Sequence, residues 1–303
     1  MPAAETAVGI SPTIRVAGRE VPRIGFAGLH LAGPGGWGAP VDRDAAVALV
    51  RRAVELGVGL VDTADTLGPG ASEEVIAEAL HPYAEQIVVT TKAGMTRTGP
   101  RGWGILGRPD YLKQQAKTSA LRLRLEPLPV FTLHRVDPTV PFDDQIGALV
   151  ELREEGVIEG IGLSAVTPEQ LDAALAITPI ASVQNHYNLV SRAHEPTLRR
   201  AEALGIPFIA YWGIGQGRTL VEAPAVAAVA ERLGATGAQV LIAWLLQRSP
   251  SLVAIPGTGN PEHLASNLES LRLRLDAEAL DQLEAFAATS RPVPDIPSSP
   301  VTP

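Results

Sequence analysis

The sequence contains no cysteine and has few basic residues relative to acidic ones. Without cysteine there is no disulfide bond, no thiolate nucleophile and no cysteine-ligated metal, and we predict no metal site of another kind. The 25 lysines and arginines are outnumbered by 33 acidic residues, which leaves a formal net charge of -8. This balance argues against a nucleic-acid partner, because binding a phosphate backbone requires clustered positive charge.

Long hydrophobic runs are also absent. No stretch reaches the length of about 18 apolar residues that a membrane span needs. The N-terminal segment MPAAETAVGISP has neither the basic region nor the apolar region of a signal peptide. We therefore expect a cytoplasmic protein with no membrane contact. No feature of the sequence indicates an oligomeric state.

The chain does contain a regular alternation of short apolar runs and longer amphipathic segments. It has 303 residues, 46% of them hydrophobic, which is enough for one large core. Strict alternation of strand and helix, repeated eight times, is typical of a parallel (β/α)8 TIM barrel. The eight predicted strands are residues 23–26, 58–64, 86–92, 129–135, 157–164, 180–187, 206–212 and 252–258.

Two additions frame the predicted barrel. Residues 13–22 are expected to form an N-terminal β-hairpin that turns at Ala17-Gly18. Two extra helices are expected at about 236–249 and 276–288, outside the repeat. We predict a single domain over residues 1–303, with flexible ends at 1–12 and in the proline- and serine-rich stretch 290–303.

Polar side chains close the apolar runs. Because catalytic residues of this fold lie at the carboxyl ends of the strands, these positions are candidates for a functional site. They are Asp62, Lys92, His134, Ser164, Gln184, Asn185 and Tyr211.

Several of these residues lie in segments that resemble the aldo-keto reductase family. VDTADTLGPGASEEVIAEAL at 61–80 resembles the family signature, and TKAG, LHR, GLS, QNHYN and AIPGT follow in the family's order. The resemblance covers about residues 13–288. It implies an enzyme dependent on NADP or NAD, with four catalytic residues: aspartate, tyrosine, lysine and histidine. Asp62, Lys92 and His134 occupy three of those places.

The fourth place, that of the catalytic tyrosine, is Leu67. In the family the tyrosine hydroxyl gives a proton to the carbonyl oxygen, and a general acid contributes roughly 10²–10⁴-fold in rate. Leucine has no proton to give. We expect His134 to be the main remaining acid or base, and His30, after the first strand, to be a second candidate. The alternatives are a structural Asp62–Lys92 ion pair, a core imidazole at His134 and a solvent-facing loop histidine at His30.

The resemblance also implies the cofactor contacts. Ser164 and Gln184 are expected to hold the nicotinamide carboxamide and Tyr211 to stack on its ring, with Ala165 in place of a frequent asparagine. The pyrophosphate is expected at Gly213, Gly215 and Gly217, where glycine lets backbone N–H groups approach phosphate closely. The adenosine half is expected at Gly257, Thr258, Asn260, His263 and Asn267. Relatives that hold a 2′-phosphate often have lysine or arginine in this last segment, so the choice between NADP and NAD stays open, and so does loss of the site.

Trp37, Trp103 and Trp212, together with Leu67, are candidates for the walls of a substrate pocket. Such walls favour a hydrophobic small molecule, although the tryptophans could instead anchor loops. Three functions remain: an atypical reductase acting on a hydrophobic carbonyl or imine, a non-redox isomerase, dehydratase or lyase that uses His134 and Lys92, and a noncatalytic cofactor-binding subunit.

Overall fold

The computed structural model of the protein describes residues 11–100, 102–215, 218–292, 295 and 299–300. Its first element is the predicted hairpin, in which β1 (Thr13–Val16) pairs antiparallel with β2 (Arg19–Pro22). The turn residues Ala17 and Gly18 have φ of 46° and 77°, a left-handed conformation that glycine adopts without steric cost.

Eight parallel strands form the main sheet, and each one lies inside a predicted run or extends one residue beyond it. A parallel bridge between Ile24 and Ala254 connects the first and last of them, so the sheet curls back on itself. The predicted (β/α)8 fold is therefore confirmed. In sheet order the strands are β3 (Phe26–Ala27), β4 (Leu60–Asp62), β5 (Val88–Ala93), β8 (Leu128–Leu133), β9 (Ile158–Ser164), β10 (Ser182–His186), β11 (Phe208–Tyr211) and β12 (Leu252–Ala254).

The hairpin closes the amino-terminal end of the barrel. Val16 and Val21 are fully buried and share one apolar cluster with side chains from the barrel strands, among them Leu60, Val130 and Val253. Because the hairpin fills this end, the site lies at the opposite end.

The helices surround the sheet and bury apolar stripes against it. They are α1 (Arg43–Glu55), α2 (Ala71–Leu80), α3 (Pro109–Leu123), α4 (Phe142–Glu154), α5 (Pro168–Ile177), α6 (Glu195–Ala203), α7 (Pro224–Leu233), α8 (Gly237–Arg248), α9 (Pro261–Glu269) and α10 (Ala277–Thr289). The two extra helices correspond to α8 and α10. The sequence analysis made no prediction for α7, whose segment is rich in alanine and valine. In the described part of the chain no single helix is long and apolar enough to cross a membrane, and the bent pair α7 and α8 meets that criterion only jointly.

A small second sheet lies beyond β5. In it β6 (Met95–Gly99) pairs antiparallel with β7 (Gly102–Ile105), and β13 (Ser299–Pro300) pairs parallel with β7. No strand was predicted in residues 95–105, because a hairpin with so few apolar side chains has no clear strand pattern. The C-terminal segment thus returns to the rim of the barrel.

Candidate active site

A cavity of about 910 Å³ opens at the carboxyl ends of the strands. This volume is at the upper end of the range typical of ligand sites. Asp62, Lys92 and His134 line the cavity, and so does Leu67. The fold therefore brings together the four positions that the family resemblance singled out.

Asp62 and Lys92 form a buried ion pair at the ends of β4 and β5. The Lys92 Nζ atom lies 2.6 Å from Asp62 Oδ1 and 2.7 Å from the Thr63 carbonyl oxygen. Asp62 Oδ1 also accepts hydrogen bonds from Thr90 Oγ1 at 2.6 Å and from Gln184 Nε2 at 2.9 Å. The lysine is thereby fixed at the cavity wall, and two of the three N–H donors of its ammonium are engaged.

Leu67 lies in the turn between β4 and α2, where its N–H donates to the Ala64 carbonyl oxygen at 3.1 Å. Its side chain offers only hydrocarbon to the cavity that it lines with Lys92. The position therefore supplies neither a proton nor a hydrogen bond.

His134 follows β8 and is anchored by its backbone N–H, which donates to the Ala93 carbonyl oxygen at 2.7 Å. Burial, together with the positive charges of Lys92 and Arg135, holds the pKa of His134 well below its usual value. Its Nδ1 atom is buried and has no hydrogen-bond partner among the described residues. The imidazole is therefore neutral at physiological pH and can donate through one nitrogen.

The slot predicted for the nicotinamide lies across the cavity from Leu67, on β9, β10 and β11. Ser164, Gln184 and Tyr211 all line the cavity. The His186 ring stacks on Tyr211, with the ring centroids 5.6 Å apart and the planes 18° apart. His186 thereby covers one face of Tyr211, and the Arg135 guanidinium carbon lies 5.7 Å from the centroid of the same ring.

Two of these strands are each followed by a residue with a strained backbone conformation. Ala165 and Trp212 have φ of 55° and 52°, a region rare for residues other than glycine, asparagine and aspartate. Such conformations persist where surrounding structure enforces them, and they concentrate at ligand sites. The two strained residues directly follow Ser164 and Tyr211, which lie in the slot.

Sequence reasoning missed two members of this slot, Arg135 and Asp295. Arg135 Nη2 lies 3.1 Å from the Tyr211 hydroxyl and 3.2 Å from both carboxylate oxygens of Asp295. Arg135 directly follows His134 in the LHR segment, so its place after a strand was a usable signal. Asp295 lies in a proline- and serine-rich stretch whose pattern indicates no contact.

The phosphate loop is only partly described. Gly213 and Gly215 line the cavity, and Gly215 has φ of 83°. A Cβ atom on Gly213 would lie 2.6 Å from the Leu245 side chain. Glycine is therefore favoured at Gly215 by its left-handed backbone and at Gly213 by the packing of Leu245. Gly217 lies outside the described residues.

The segment predicted for the adenosine half divides into two parts. Gly257 lines the cavity, whereas the other four predicted residues are not among its lining residues. Asn260 caps α9 through a 2.8 Å hydrogen bond from the Glu262 N–H, and Thr258 Oγ1 accepts from the Asn260 N–H at 3.0 Å. His263 is exposed and Asn267 is buried. In this segment the structure thus places a helix N-terminus, rather than a cation, near the cavity.

His30 lines the same cavity at its β12 side. Its Cδ2 atom lies 3.3 Å from where a Cβ on Gly257 would be, and burial lowers the pKa of the imidazole. His30 thus lies beside the adenosine segment, at strands β3 and β12. This placement makes it a poor candidate for the acid that the sequence analysis considered.

Trp103 and Trp212 line the cavity, whereas Trp37 is not among the lining residues. The Arg97 guanidinium carbon lies 3.8 Å from the centroid of the Trp103 ring and 5.6 Å from that of Trp37. Trp37 therefore supports the cavity wall through Arg97 instead of forming it.

In the described residues, no cluster of three or more histidine, aspartate or glutamate side chains is arranged to hold a metal. The side chains that face the cavity instead fit a nicotinamide dinucleotide: a stacking tyrosine, carboxamide partners, a glycine turn and a helix N-terminus. Preference for NADP over NAD would call for a cation near Gly257, and the titratable side chain that contacts this glycine is His30.

Comparison with known proteins identifies the family. The Aldo/keto reductase family model matches residues 24–288. An uncharacterized oxidoreductase of Schizosaccharomyces pombe is 37% identical over 93% of this chain and 92% of its own length. The pyridoxine 4-dehydrogenase of Escherichia coli is 36% identical over 91% of this chain and 99% of its own length. The crystal structure of an aldo-keto reductase from Klebsiella pneumoniae in complex with NADPH has a TM-score of 0.78 at 26% identity, covering 92% of this chain and 95% of that one. The chain therefore belongs to the aldo/keto reductase family and is an NAD(P)-dependent oxidoreductase, as the sequence predicted.

Proposed function

We propose that this protein reduces an aldehyde carried on a flat aromatic ring, or the imine of such an aldehyde, without a tyrosine acid. The observation that carries the proposal is the convergence of the Lys92 ammonium and a neutral His134 on a cavity where Leu67 replaces the hydroxyl donor. Lys92 takes the role of proton donor.

A bound nicotinamide supplies a hydride to the carbonyl carbon. Lys92 has one N–H not engaged by Asp62 or by the Thr63 carbonyl oxygen, and it donates the proton to the carbonyl oxygen. The Asp62 carboxylate, 2.6 Å from Lys92 Nζ, holds the ammonium in place at the cavity wall. In the reverse direction, neutral Lys92 accepts the alcohol proton.

Neutral His134 orients the substrate. With its Nδ1 buried and unpartnered, the ring can donate one hydrogen bond to the carbonyl oxygen from its other nitrogen. A hydrogen bond from a neutral group fixes the position of the oxygen without adding a third positive charge beside Lys92 and Arg135. Leu67 excludes water from the same corner, which strengthens the lysine–oxygen interaction.

The proposed substrate class rests on the side chains that line the cavity and on one similar enzyme. Trp103 and Trp212 offer flat apolar surfaces, and pyridoxine 4-dehydrogenase of Escherichia coli is similar over 91% of the chain. Pyridoxal, an aldehyde on a pyridine ring, is therefore the first test substrate. Its imine with a primary amine, in the protonated iminium form, already carries a proton on nitrogen, so hydride transfer gives the amine without a tyrosine acid.

We propose that the protein binds both NADPH and NADH, with a modest preference for NADPH. The NADPH complex of the Klebsiella pneumoniae relative supports NADPH. Residues 257–267 contain no lysine or arginine. Because a 2′-phosphate is bound most strongly by charge-assisted hydrogen bonds, we expect the affinities for NADPH and NADH to differ only slightly.

The proposal is tested by titrating the protein with NADPH and NADH and following nicotinamide fluorescence. Aldehydes, ketones and preformed imines, including pyridoxal and its imine, are then added to the loaded protein. We expect binding of both cofactors and oxidation by pyridoxal or its imine. Binding without oxidation by any of them would favour the non-redox or noncatalytic functions.

Lys92→Met tests the proton donor. This variant is expected to bind NADPH within about twofold of the wild type but to lose roughly 10²-fold or more in aldehyde reduction. The preformed imine should be affected less, because it brings its own proton. Equal losses for aldehyde and imine would contradict Lys92 as the donor.

A further inference from the structure

The carboxylate of Asp295 lies against the rim of the nicotinamide slot, although it comes from the C-terminal tail. The Tyr211 hydroxyl lies 2.9 Å and 2.7 Å from its two carboxylate oxygens. Arg135 Nη2 is 3.2 Å from each of them. One tail residue thus contacts side chains that follow two different barrel strands, β8 and β11.

Arg135 needs this partner. Its side chain is 9% exposed, and it forms an ion pair with Asp295. Its other hydrogen bonds run to the Tyr211 hydroxyl at 3.1 Å, to the His134 carbonyl oxygen at 3.3 Å and to Ser164 Oγ at 3.5 Å. Asp295 is 34% exposed but is the carboxylate that pairs with this buried guanidinium, and removing the partner of a buried charge is costly. Without Asp295, Arg135 would be drawn towards solvent and away from Ser164.

Tyr211 is held on three sides. His186 covers one ring face, Trp212 packs edge-on at 5.7 Å between centroids, and Asp295 with Arg135 fixes the hydroxyl. Tyr211 also lines the cavity, and the Arg135 guanidinium carbon lies 5.7 Å from its ring centroid. The tilt of the Tyr211 ring is therefore set in part by the tail.

A second described part of the tail contacts the small sheet. Ser299 and Pro300 pair with Gly104 and Ile105 of β7, beyond the end of β5. The described tail residues thus contact both the strand ends at Arg135 and Tyr211 and the small sheet.

We propose that Asp295 is a positioning residue, which fixes the Tyr211 ring and the Arg135 guanidinium for cofactor binding and so slows cofactor release. The inference rests on the proposed function, because it requires that Tyr211 contact the nicotinamide. Asp295 contacts Tyr211 at its hydroxyl.

The test measures the affinity and the dissociation rate of NADPH by nicotinamide fluorescence in Asp295→Ala, Asp295→Asn and Tyr211→Phe. We expect Asp295→Ala to raise the dissociation constant about tenfold, chiefly through faster release, because charge-assisted hydrogen bonds are lost. Asp295→Asn keeps an acceptor and should show a smaller rise of about threefold. Tyr211→Phe should add little further loss in the Asp295→Ala background, since both changes remove the same contact.

Asp281→Ala is the matched control, because Asp281 is exposed on α10 near the same end of the chain. It should bind NADPH like the wild type. If Asp295→Ala and Asp281→Ala bind alike, or if the losses of Asp295→Ala and Tyr211→Phe simply add, the inference is wrong while the proposed function stands. If the wild type binds neither NADPH nor NADH, the proposed function fails and the inference with it.

Discussion

In the proposed mechanism, Leu67 determines how a proton can reach the substrate. It lines the cavity beside Lys92, and the buried Asp62–Lys92 pair is intact at 2.6 Å. An intact pair beside a lost acid distinguishes this site from one that has decayed altogether. It also predicts that the site regains ordinary carbonyl chemistry if the hydroxyl is restored.

We expect Leu67→Tyr to raise the rate of reduction of a simple aromatic aldehyde by roughly 10²-fold, the low end of what a general acid contributes. The measurement is the steady-state oxidation of NADPH. Leu67→Phe is the matched control, since it adds the ring without the hydroxyl, and it should not gain. If both variants reduce the aldehyde faster by the same factor, the aromatic ring and not the hydroxyl is responsible, and proton donation is not restored.

At the level of single residues, sequence reasoning found the polar positions that close strands but not their partners. Asp62, Lys92 and His134 follow apolar runs and meet at one cavity, as strand geometry requires. Asp295 could not be found in this way, because its contact depends on how a distant tail folds back. Trp37 was expected in the pocket wall, yet it acts through Arg97, a contact that joins separate loops.

Among the elements, the hairpin β6–β7 shapes one side of the cavity. Arg97 on β6 lies over Trp103 on β7 and donates to the carbonyl oxygens of Gly35 and Gly36 at 3.1 Å and 3.3 Å. The hairpin is thus tied to the loop that follows β3. A stretch with few apolar residues becomes ordered through these contacts, which is why its strands could not be predicted from periodicity.

Arg97→Met is expected to raise the KM for the aldehyde about tenfold while leaving the NADPH dissociation constant unchanged, since cation–π and guanidinium hydrogen bonds on this wall are lost. Steady-state kinetics and cofactor titration measure the two quantities. Arg108→Met, which removes an exposed ion pair with Asp110, should change neither. Equal weakening of substrate and cofactor binding would show that the hairpin supports the whole barrel mouth.

Across the whole molecule, the fold was the most predictable property. Eight apolar runs and the intervening amphipathic segments correspond to the observed strands and helices, because hydrophobic periodicity reflects burial directly. The N-terminal hairpin β1–β2 was also predicted, from its turn residues and its alternation of apolar and polar side chains. What periodicity could not supply was α7 and the small sheet at the rim, where burial is partial.

The molecule also carries several histidines whose pKa values are lowered, chiefly by burial: His30, His134, His186 and His194. In the unfolded chain each takes up a proton below about pH 6.5. The folded form takes it up only at lower pH. Below about pH 6.5 the unfolded state therefore binds more protons than the folded state. As a result, the free energy of unfolding is unaffected by these histidines above about pH 6.5 and decreases as the pH falls below it.

His134→Gln isolates this effect. The free energy of unfolding of the wild type minus that of the variant should decrease as the pH is lowered from 7.5 to 5, by at most about 1.4 kcal/mol per pH unit. Urea unfolding at several pH values measures it. A difference that stays constant over this range, or grows towards acid, would mean that His134 is not held neutral in the folded state.

The most direct test of the central claim is hydride transfer itself. NADPH carrying deuterium at the transferable position is mixed with the wild-type protein and pyridoxal or its imine, and the product is analysed by mass spectrometry. The account predicts one deuterium on the former carbonyl carbon of each product molecule, with the yield from aldehyde lost in Lys92→Met. Product formed without deuterium would contradict it and would indicate that His134 and Lys92 move protons in a non-redox reaction.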